Sequence, residues 1–235
     1  TADSLVREAL AYSYPYDDVI AATYLGNGSR ALGAAPVTIW GHNAEPPRYT
    51  FDLDKARALL AAAGYADGLE LTMAYDPGQD VQAELWQAAL AQIGVTLHLE
   101  RADWAIRWET QKSDPEHAPH AYILAWSPDV VGPYSYLFSM FHSEDQPLFN
   151  LGFYNDPAFD TLIEEGNVLS GADRAGATAK FNAAEALLDE DAAAIFIQDT
   201  PDMHVIAEDL QGYVNNPAYT RVVFWYEVRK TESQP

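Results

Sequence analysis

Residues 69–99 read LELTMAYDPGQDVQAELWQAALAQIGVTLHL and contain a strand, a helix and a second strand. Residues 69–75 alternate apolar and polar side chains, which is typical of a β-strand. Residues 79–93 carry the wider apolar spacing of a helix, and Gly94 marks its end. Residues 95–99 alternate again. A strand, a helix and a strand joined by short loops predict a sheet covered by helices.

Helix and strand patterns also alternate along the rest of the chain. Further helices are predicted at residues 4–14, 15–25, 52–64, 103–111, 132–141, 156–169 and 173–189, and further strands at residues 121–126, 193–198, 204–207 and 222–228. Aspartate or proline stands at the start of several of these helices, as expected for helix N-termini. Residues 36–47 are rich in Pro and Gly and predict a loop. We therefore expect one α/β unit and not two domains.

The composition of the chain is strongly acidic. Its 235 residues include 35 Asp and Glu against 13 Lys and Arg, for a formal net charge of −22, while 49% are hydrophobic. The apolar content predicts a folded core. The charge argues against binding to nucleic acid or to anionic lipid, because a phosphate surface needs clustered Lys and Arg. Two interpretations stay open: an acidic surface that keeps an exported protein soluble, and an attraction for cationic ligands.

The chain has no cysteine, so disulfides, thiolate catalysis and Cys-based zinc sites are excluded. No apolar run reaches the roughly 18 residues that a membrane-spanning helix needs. The first residues lack the basic and then apolar pattern of a signal peptide. If the protein is exported, we expect its signal to lie upstream of this sequence.

Metal or catalytic chemistry finds little support in the sequence. His117 and His120 stand three residues apart, and His142 follows further on, which raises the question of a metal site. Pro119 lies between the first two, and no acidic residue stands at helical spacing from both. The nucleophile elbow, the phosphate-binding loop and the dinucleotide fingerprint are not found. We expect no cofactor, no metal and no enzymatic activity.

Aromatic residues are concentrated between residues 104 and 141. Trp104 and Trp108 are one helical turn apart, so they share a face. Trp126 ends a predicted strand, and Asp129 follows three residues later in a turn. Open α/β folds bind ligands at the carboxyl ends of their strands. Each ring taken alone is well explained as core packing, but the group beside a carboxylate also fits a ligand-binding surface.

Five sequence blocks carry a resemblance to a known family. They are residues 6–12 (VREALAY), residues 51–65 (FDLDKARALLAAAGY), residues 92–95 (QIGV) with Asp103 and Trp104, residues 126–129 (WSPD) followed by Gly132 and Pro133, and residues 155–160 (NDPAFD). In this order they resemble the C-terminal lobe of the extracellular solute-binding proteins of family 5, the oligopeptide and dipeptide class of ABC importers. The blocks cover nearly the whole chain.

The resemblance implies a fold, a domain organisation and partners. The fold would be an α/β lobe of the type II, cluster C periplasmic-binding-protein class, with a mixed sheet flanked by helices. Residues 1–235 would form a single C-terminal lobe (domain III), with residues from about 215 to 235 near the hinge or against an N-terminal lobe. The partners would be a small peptide-like or oligosaccharide ligand, that N-terminal lobe and an ABC permease complex, without nucleic acid. The expected location is the periplasm, or the cell surface as a lipoprotein.

The resemblance also implies a binding site. In peptide-binding relatives the carboxylate of the W-x-x-D turn pairs with the α-ammonium group of the ligand, a role that falls here on Asp129. Aromatic shielding would favour such a charge-assisted hydrogen bond. The predicted ligand-binding residues are Asp129, Trp126, Trp104, Trp108, Tyr134 and Tyr136.

Three positions depart from the family pattern. Gly132 stands where Asp is common, Ser135 where Asn is common, and Pro15 where an Asp or Asn caps a helix. The first two changes alter the cleft, so the ligand could instead be an oligosaccharide, a nickel complex, haem or an opine. Two other functions also stay open. One is the ligand-sensing lobe of a cytosolic transcriptional regulator, and the other is an enzyme that uses Asp129 and a histidine as acid and base.

Overall fold

The computed structural model describes residues 3–23, 26–113, 115–128, 130–146, 148–201, 203–216 and 222–231. The helices in this part of the chain are α1 (Ser4–Tyr12), α2 (Tyr16–Ala22), α3 (Leu53–Ala62), α4 (Asp80–Ala91), α5 (Trp104–Ser113), α6 (Pro133–Phe141), α7 (Pro157–Leu169) and α8 (Arg174–Glu190). The strands are β1 (Ser29–Arg30), β2 (Leu69–Tyr75), β3 (Val95–Arg101), β4 (Ala121–Tyr122), β5 (Gln198–Asp199), β6 (Leu210–Gln211) and β7 (Arg229–Lys230). Short 3₁₀ turns occupy Pro115–His117 and Trp225–Glu227. None of the helices described here is long and apolar enough to cross a membrane.

Aspartate side chains start four of the helices. The carboxylates that accept first-turn backbone N–H groups belong to Asp3, Asp52, Asp156 and Asp173. Each bond satisfies an amide that the helix itself leaves unpaired, and the negative charge also suits the positive end of the helix dipole. Part of the acidic excess of the chain therefore serves helix initiation.

The main sheet is parallel and has the order β3-β2-β4. β2 pairs with β3 from Leu69 opposite Val95 to Tyr75 opposite Arg101, and it pairs with β4 at Met73. Helix α4 connects β2 to its neighbour β3, and α5 connects β3 to β4 on the other side of β2, as parallel strands of one sheet require. Antiparallel pairing occurs separately, in the two-stranded sheets β1-β5 and β6-β7. All three strands of the main sheet therefore end at the same edge.

Two apolar clusters form the core. The first joins the main sheet to α1–α4, with Met73 and Leu90 fully buried. The second joins α6, α7 and α8 around Phe159 and Phe181. Helices α7 and α8 approach closely at Gly166, where an added Cβ would lie 2.7 Å from the Phe181 ring. The helices that follow the main sheet thus have a core of their own.

The prediction of a strand at residues 193–198 is wrong for most of its length, since only Gln198 of that range is in a strand. The side chains do alternate: Phe196 packs on the second cluster, and Ile195 and Ile197 pack on the first. The neighbouring strand β1 ends at Arg30, however, and only one further backbone bond, from Ala31 N to Ile197 O at 3.4 Å, extends the pairing in the described part of the chain. The Arg30 guanidinium also donates to the carbonyls of Phe196 and Ile197.

Three other predicted strands are also corrected. The predicted strand at 121–126 ends at Tyr122, with one further ladder bond from Ile123 N to Ala74 O of 3.1 Å, because β2 itself ends at Tyr75. Residues 204–207 form no strand, and all four are exposed, Val205 fully so. Residues 222–228 hold a 3₁₀ turn instead. An apolar alternation without a neighbouring strand does not make a ladder.

Candidate functional site

Arg107 joins α5 to the carboxyl edge of the main sheet. Its Nη2 donates to Asp76 Oδ2 at 2.8 Å, directly after β2. The same guanidinium lies 3.4 Å from the carbonyl oxygen of Ile123, directly after β4. The Arg107 side chain is 3% exposed and the Asp76 side chain 25% exposed. A buried ion pair with a partly exposed acid therefore holds α5 over two strand ends.

Two rings lie around this guanidinium. The centre of the Trp104 ring is 5.3 Å from Arg107 Cζ, and that of Tyr122 is 6.0 Å away. Burial raises the pKa of Tyr122 to about 12, while the positive charge of Arg107 acts in the opposite direction. Trp104 is only half-buried. It is thus fixed by a cation on one side and open on the other.

Phe149 brings the other two predicted tryptophans together. Its ring stacks on Trp108 with centroids 6.0 Å apart and planes at 20°, and it lies 4.5 Å from the Trp126 ring. The indole N–H of Trp108 donates to the carbonyl of Leu148, and Lys112 Nζ lies 4.0 Å from the centre of the Trp108 ring. We call Trp108, Phe149 and Trp126 the aromatic cluster. It places an apolar, half-buried wall next to the strand ends.

Several polar atoms near this wall have no hydrogen-bond partner among the described residues. They are Trp126 Nε1, Arg107 Nε and both side-chain polar atoms of Gln111, all buried. Buried donors and acceptors are normally paired, and an unpaired one costs free energy. The indole N–H of Trp126 is therefore a buried donor without a partner in this part of the chain. The site therefore combines three features that suit ligand binding. They are the flat apolar surface of the aromatic cluster, the unpaired N–H of Trp126 and the nearby ion pair of Arg107 with Asp76.

The two predicted tyrosines contact other parts of the molecule. Tyr134 packs on Phe138 with ring centroids 5.2 Å apart, and its hydroxyl donates to Glu164 Oε1 at 2.8 Å. Burial, and then this hydrogen bond, raises the pKa of Tyr134 above its ordinary value. Tyr136 is buried, and burial together with the negative charge of Asp199 raises its pKa. Asp129 lies outside the described residues. The structure thus joins Trp108 with Trp126, and gives the tyrosines contacts on α6, α7 and β5.

Two residues of the site were not predicted from the sequence. Phe149 is a single aromatic residue in a polar segment, and nothing local indicates that it inserts between two indoles. Arg107 carried a usable signal, because it stands on the same helix as two tryptophans in a chain with few basic residues. The buried side of α5 consists of Arg107 and Gln111, with the tryptophans at its margins.

The histidines considered for a metal site lie in separate surroundings. His120 Nδ1 accepts a hydrogen bond from the Thr72 backbone N–H at 3.0 Å. His142 stacks on Phe138 at 4.5 Å and lies 3.8 Å from Glu164 Oε1. No group of three or more His, Asp and Glu side chains suited to a metal ion occurs in the described part of the chain.

The family comparison matches residues 1–147 to the model of bacterial extracellular solute-binding proteins, family 5 Middle. Heme-binding protein A of Haemophilus influenzae is 30% identical over 219 residues, which are 90% of this chain and 39% of that protein. The dipeptide-binding protein of Escherichia coli is 28% identical over 92% of this chain and 41% of its own length. The chain thus spans about two fifths of the curated relatives that it matches.

Solved structures agree with this assignment. HbpA2 from Haemophilus parasuis superposes with a TM-score of 0.80 at 26% identity, over 97% of this chain and 45% of that one. The ABC transporter-associated periplasmic binding protein DppA from Helicobacter pylori, in complex with the peptide STSA, superposes with a TM-score of 0.73 at 28% identity, over 83% of this chain and 38% of that one. The neighbours are type II periplasmic binding proteins, and this chain has their α/β fold.

Proposed function

The chain belongs to family 5 of the bacterial extracellular solute-binding proteins, and on this basis we propose that it forms one wall of a cleft that captures a peptide. The full-length protein would deliver that peptide to an ABC permease and would act in the periplasm or at the cell surface. Relatives named as dipeptide- or di/tripeptide-binding proteins support the ligand class. The role is binding and release, without a catalytic step.

The observation that carries this proposal is the aromatic cluster at the carboxyl edge of the sheet. It combines flat apolar surface with the unpaired indole N–H of Trp126. A peptide offers what such a wall can bind, namely apolar side chains and backbone carbonyl oxygens. Asp129 follows Trp126 by three residues in the sequence, and we assign it to the α-ammonium group of the peptide.

Haem is the second candidate ligand. It is favoured by the similarity to Heme-binding protein A and by the stacked rings of Trp108 and Phe149, which offer a flat surface to a planar macrocycle. The unpaired donor of Trp126 would then face a carboxylate group of the ligand. The two candidate ligands differ in the charge that the site must bind: the α-ammonium group of a peptide is positive, whereas the carboxylate groups of haem are negative.

We also propose that residues 1–235 form the C-terminal lobe of a two-lobed protein. The segment after β5 supports this, because its large apolar side chains are exposed; they include Met203, Val205, Ile206, Val214, Val222, Trp225 and Tyr226. Apolar surface of this extent normally contacts another part of a protein. An N-terminal lobe, which the longer relatives have room for, is the contact that we assign to it, near the hinge.

Calorimetry with the full-length protein that contains this chain tests the proposal. We expect one peptide of two to five residues to bind per protein, and the isolated 235-residue chain to bind it at least about a hundredfold more weakly, because half of the buried contacts are removed. Tight binding of haem without any peptide binding would replace the first candidate by the second. Equal affinity of the isolated chain and the full-length protein would contradict the two-lobe arrangement.

A further inference from the structure

Glu185 on α8 is a buried carboxyl group beside a long loop. The residue is 2% exposed, and Oε1 accepts the backbone N–H of Ala35 at 3.1 Å. Oε2 forms no well-aligned hydrogen bond within the described ranges, and Glu185 has no salt bridge there. A buried carboxylate without a cation is costly in its ionised form.

Residues 31–47, which we call the bracing loop, fold closely over this carboxyl group. At Gly33 an added Cβ would lie 2.1 Å from Glu185 Oε2, so a side chain there would displace either the carboxyl group or the loop. Asn43 Nδ2 donates to the Leu32 carbonyl at 3.4 Å, which joins the two ends of the loop above α8. Glu185 therefore sits beneath the loop and is bonded to it through Ala35.

The far part of the bracing loop contacts the start of α6. A Cβ added at Gly132 would lie 3.9 Å from Trp40 Nε1, and one added at Gly41 would lie 3.4 Å from Pro133 Cγ. Trp40 itself packs edge-on against Phe181 at 6.0 Å. Val130 and Val131 separate Gly132 and Pro133 from the W-S-P-D segment of the site. The loop thus connects a buried carboxyl group to the start of α6, shortly after the segment that we assign to the solute.

We propose that Glu185 is a positioning residue for the solute site: it holds the bracing loop on α8, and the loop holds Gly132 and Pro133 at the start of α6. The inference rests on the proposed function, because the position of this end of α6 matters to binding only if the solute contacts the segment that precedes it. Glu185 itself does not touch the solute. Its effect passes through Trp40 and Gly41 to the start of α6.

The charges around Glu185 make this support sensitive to pH. Burial raises the pKa of Glu185 to about 7 from its ordinary 4.5, and the acids Asp189 and Asp199 add to the rise. The backbone amides of Ala35 and Asn43 act in the opposite direction and offset part of it. Because the folded pKa lies above the unfolded one, the stabilisation is fully present below about pH 4.5 and is lost as the pH rises through about 7.

The other charged groups nearby change the pKa values of Asp189 and Asp199. Asp199 accepts the Val37 backbone N–H at 3.0 Å, and the charge of His42 lowers its pKa, although burial raises it overall. Arg48 and Arg30 act in the same way on Asp189, whose pKa burial raises. Asp199 therefore provides a second attachment of the loop, at Val37, and Glu185 is the attachment that weakens near neutral pH.

Hydrogen exchange of the bracing loop in the full-length protein tests the proposal. From about pH 5.5 to about pH 8.5, after correction for intrinsic exchange, we expect loop opening to rise about tenfold or more. Peptide affinity should fall over the same range. In Glu185→Gln, which keeps the shape without the charge, loop opening should be independent of pH, and affinity should fall only as the amino terminus of the peptide loses its proton near about pH 8. The exposed neighbour provides a matched control, and Glu190→Gln should behave as the parent.

The outcomes separate this inference from the proposed function. Loop exchange that is equally dependent on pH in the parent and in Glu185→Gln overturns it. A peptide affinity that stays constant while the loop opens also overturns the positioning role of Glu185. In that case the proposed function, peptide binding, is unaffected. Failure of the parent to bind any peptide overturns both. If Glu185→Gln does not fold, Gly33→Ala provides a second variant, because its added Cβ displaces the loop from Glu185. This variant should raise the hydrogen exchange of the loop and weaken peptide binding at every pH.

Discussion

Two tryptophans, Trp86 and Trp126, show how the core and the candidate site differ. Trp86 on α4 is 4% exposed, and its indole N–H donates to Ser13 Oγ at 3.0 Å. Its ring lies 5.5 Å from Tyr14, inside the first cluster. Trp126 also has a buried indole nitrogen, but this atom has no partner among the described residues. One N–H is paired within the fold, and the other is unpaired in the described part of the chain.

The difference teaches which aromatic residues are structural. An aromatic ring whose polar atom is hydrogen-bonded inside the protein is fully explained by its packing in the core. A ring beside unpaired buried polar atoms costs free energy in the free protein, and a ligand can recover that cost. Composition and spacing alone would group Trp86 and Trp126 together. Hydrogen bonding separates them.

The largest expected effect on stability tests the ion pair that holds the site. Arg107→Met leaves Asp76 without its partner at a partly exposed position, so we expect a loss of about 2–3 kcal/mol in the free energy of unfolding. Chemical denaturation measures it. The exposed pair of Arg101 and Asp80, 3.1 Å apart, provides the control, and Arg101→Met should cost less than about 1 kcal/mol. Equal losses in the two variants would contradict the assignment of Arg107 as a buried anchor.

A smaller effect compares the two indoles directly. Trp86→Phe removes a paired donor and should cost about 1–2 kcal/mol of stability without changing ligand affinity in the folded protein. Trp126→Phe removes an unpaired donor, so its stability should change by less than about 0.5 kcal/mol, while ligand affinity falls severalfold. Chemical denaturation measures the stability of each full-length variant, and calorimetry measures its ligand affinity. A stability loss at Trp126 equal to that at Trp86 would show that its N–H is used by the fold.

The smallest effect concerns salt. With a net charge of −22, like charges repel across the folded surface, so raising the salt from about 0.05 to about 0.5 M should stabilise the parent by roughly 0.5–1 kcal/mol. The same salt should remove most of the cost of Arg101→Met, because that pair is exposed, and little of the cost of Arg107→Met. Denaturation at the two salt concentrations decides this. A salt dependence that is the same for both variants would mean that Arg107 is screened like a surface residue.

Much of the fold could be predicted because local chemistry and packing agree. Residues 69–99 combine a strand period, a helix period and a terminating glycine, and the structure confirms β2, α4 and β3 there. Helices α7 and α8 begin directly after capping aspartates, as the sequence indicated. The failures share one cause. At residues 195–197 the side chains do alternate between the two clusters, and residues 205–207 are apolar, but a strand also needs a neighbouring strand, and that neighbour depends on the fold of the whole chain.

The site could be predicted in part for the same reason. Helical spacing placed Trp104 and Trp108 on one helix, and the family turn singled out Trp126. Phe149 could not be found, because its insertion between two indoles depends on how a distant loop folds back. Arg107 was missed because an arginine on a helix is usually solvated, and only the tertiary structure shows Asp76 beside it.

The most direct test of the central claim is a thermodynamic cycle on Asp129 in the full-length protein. Calorimetry would compare a peptide with a free amino terminus and its acetylated form, in the parent and in Asp129→Ala, with Asp145→Ala at an exposed position as control. We predict that Asp129→Ala costs roughly 3–5 kcal/mol, about two to four orders of magnitude in affinity, for the free peptide, and much less for the acetylated one. Unchanged affinity of Asp129→Ala for the free peptide would contradict the account and remove this turn from the binding site.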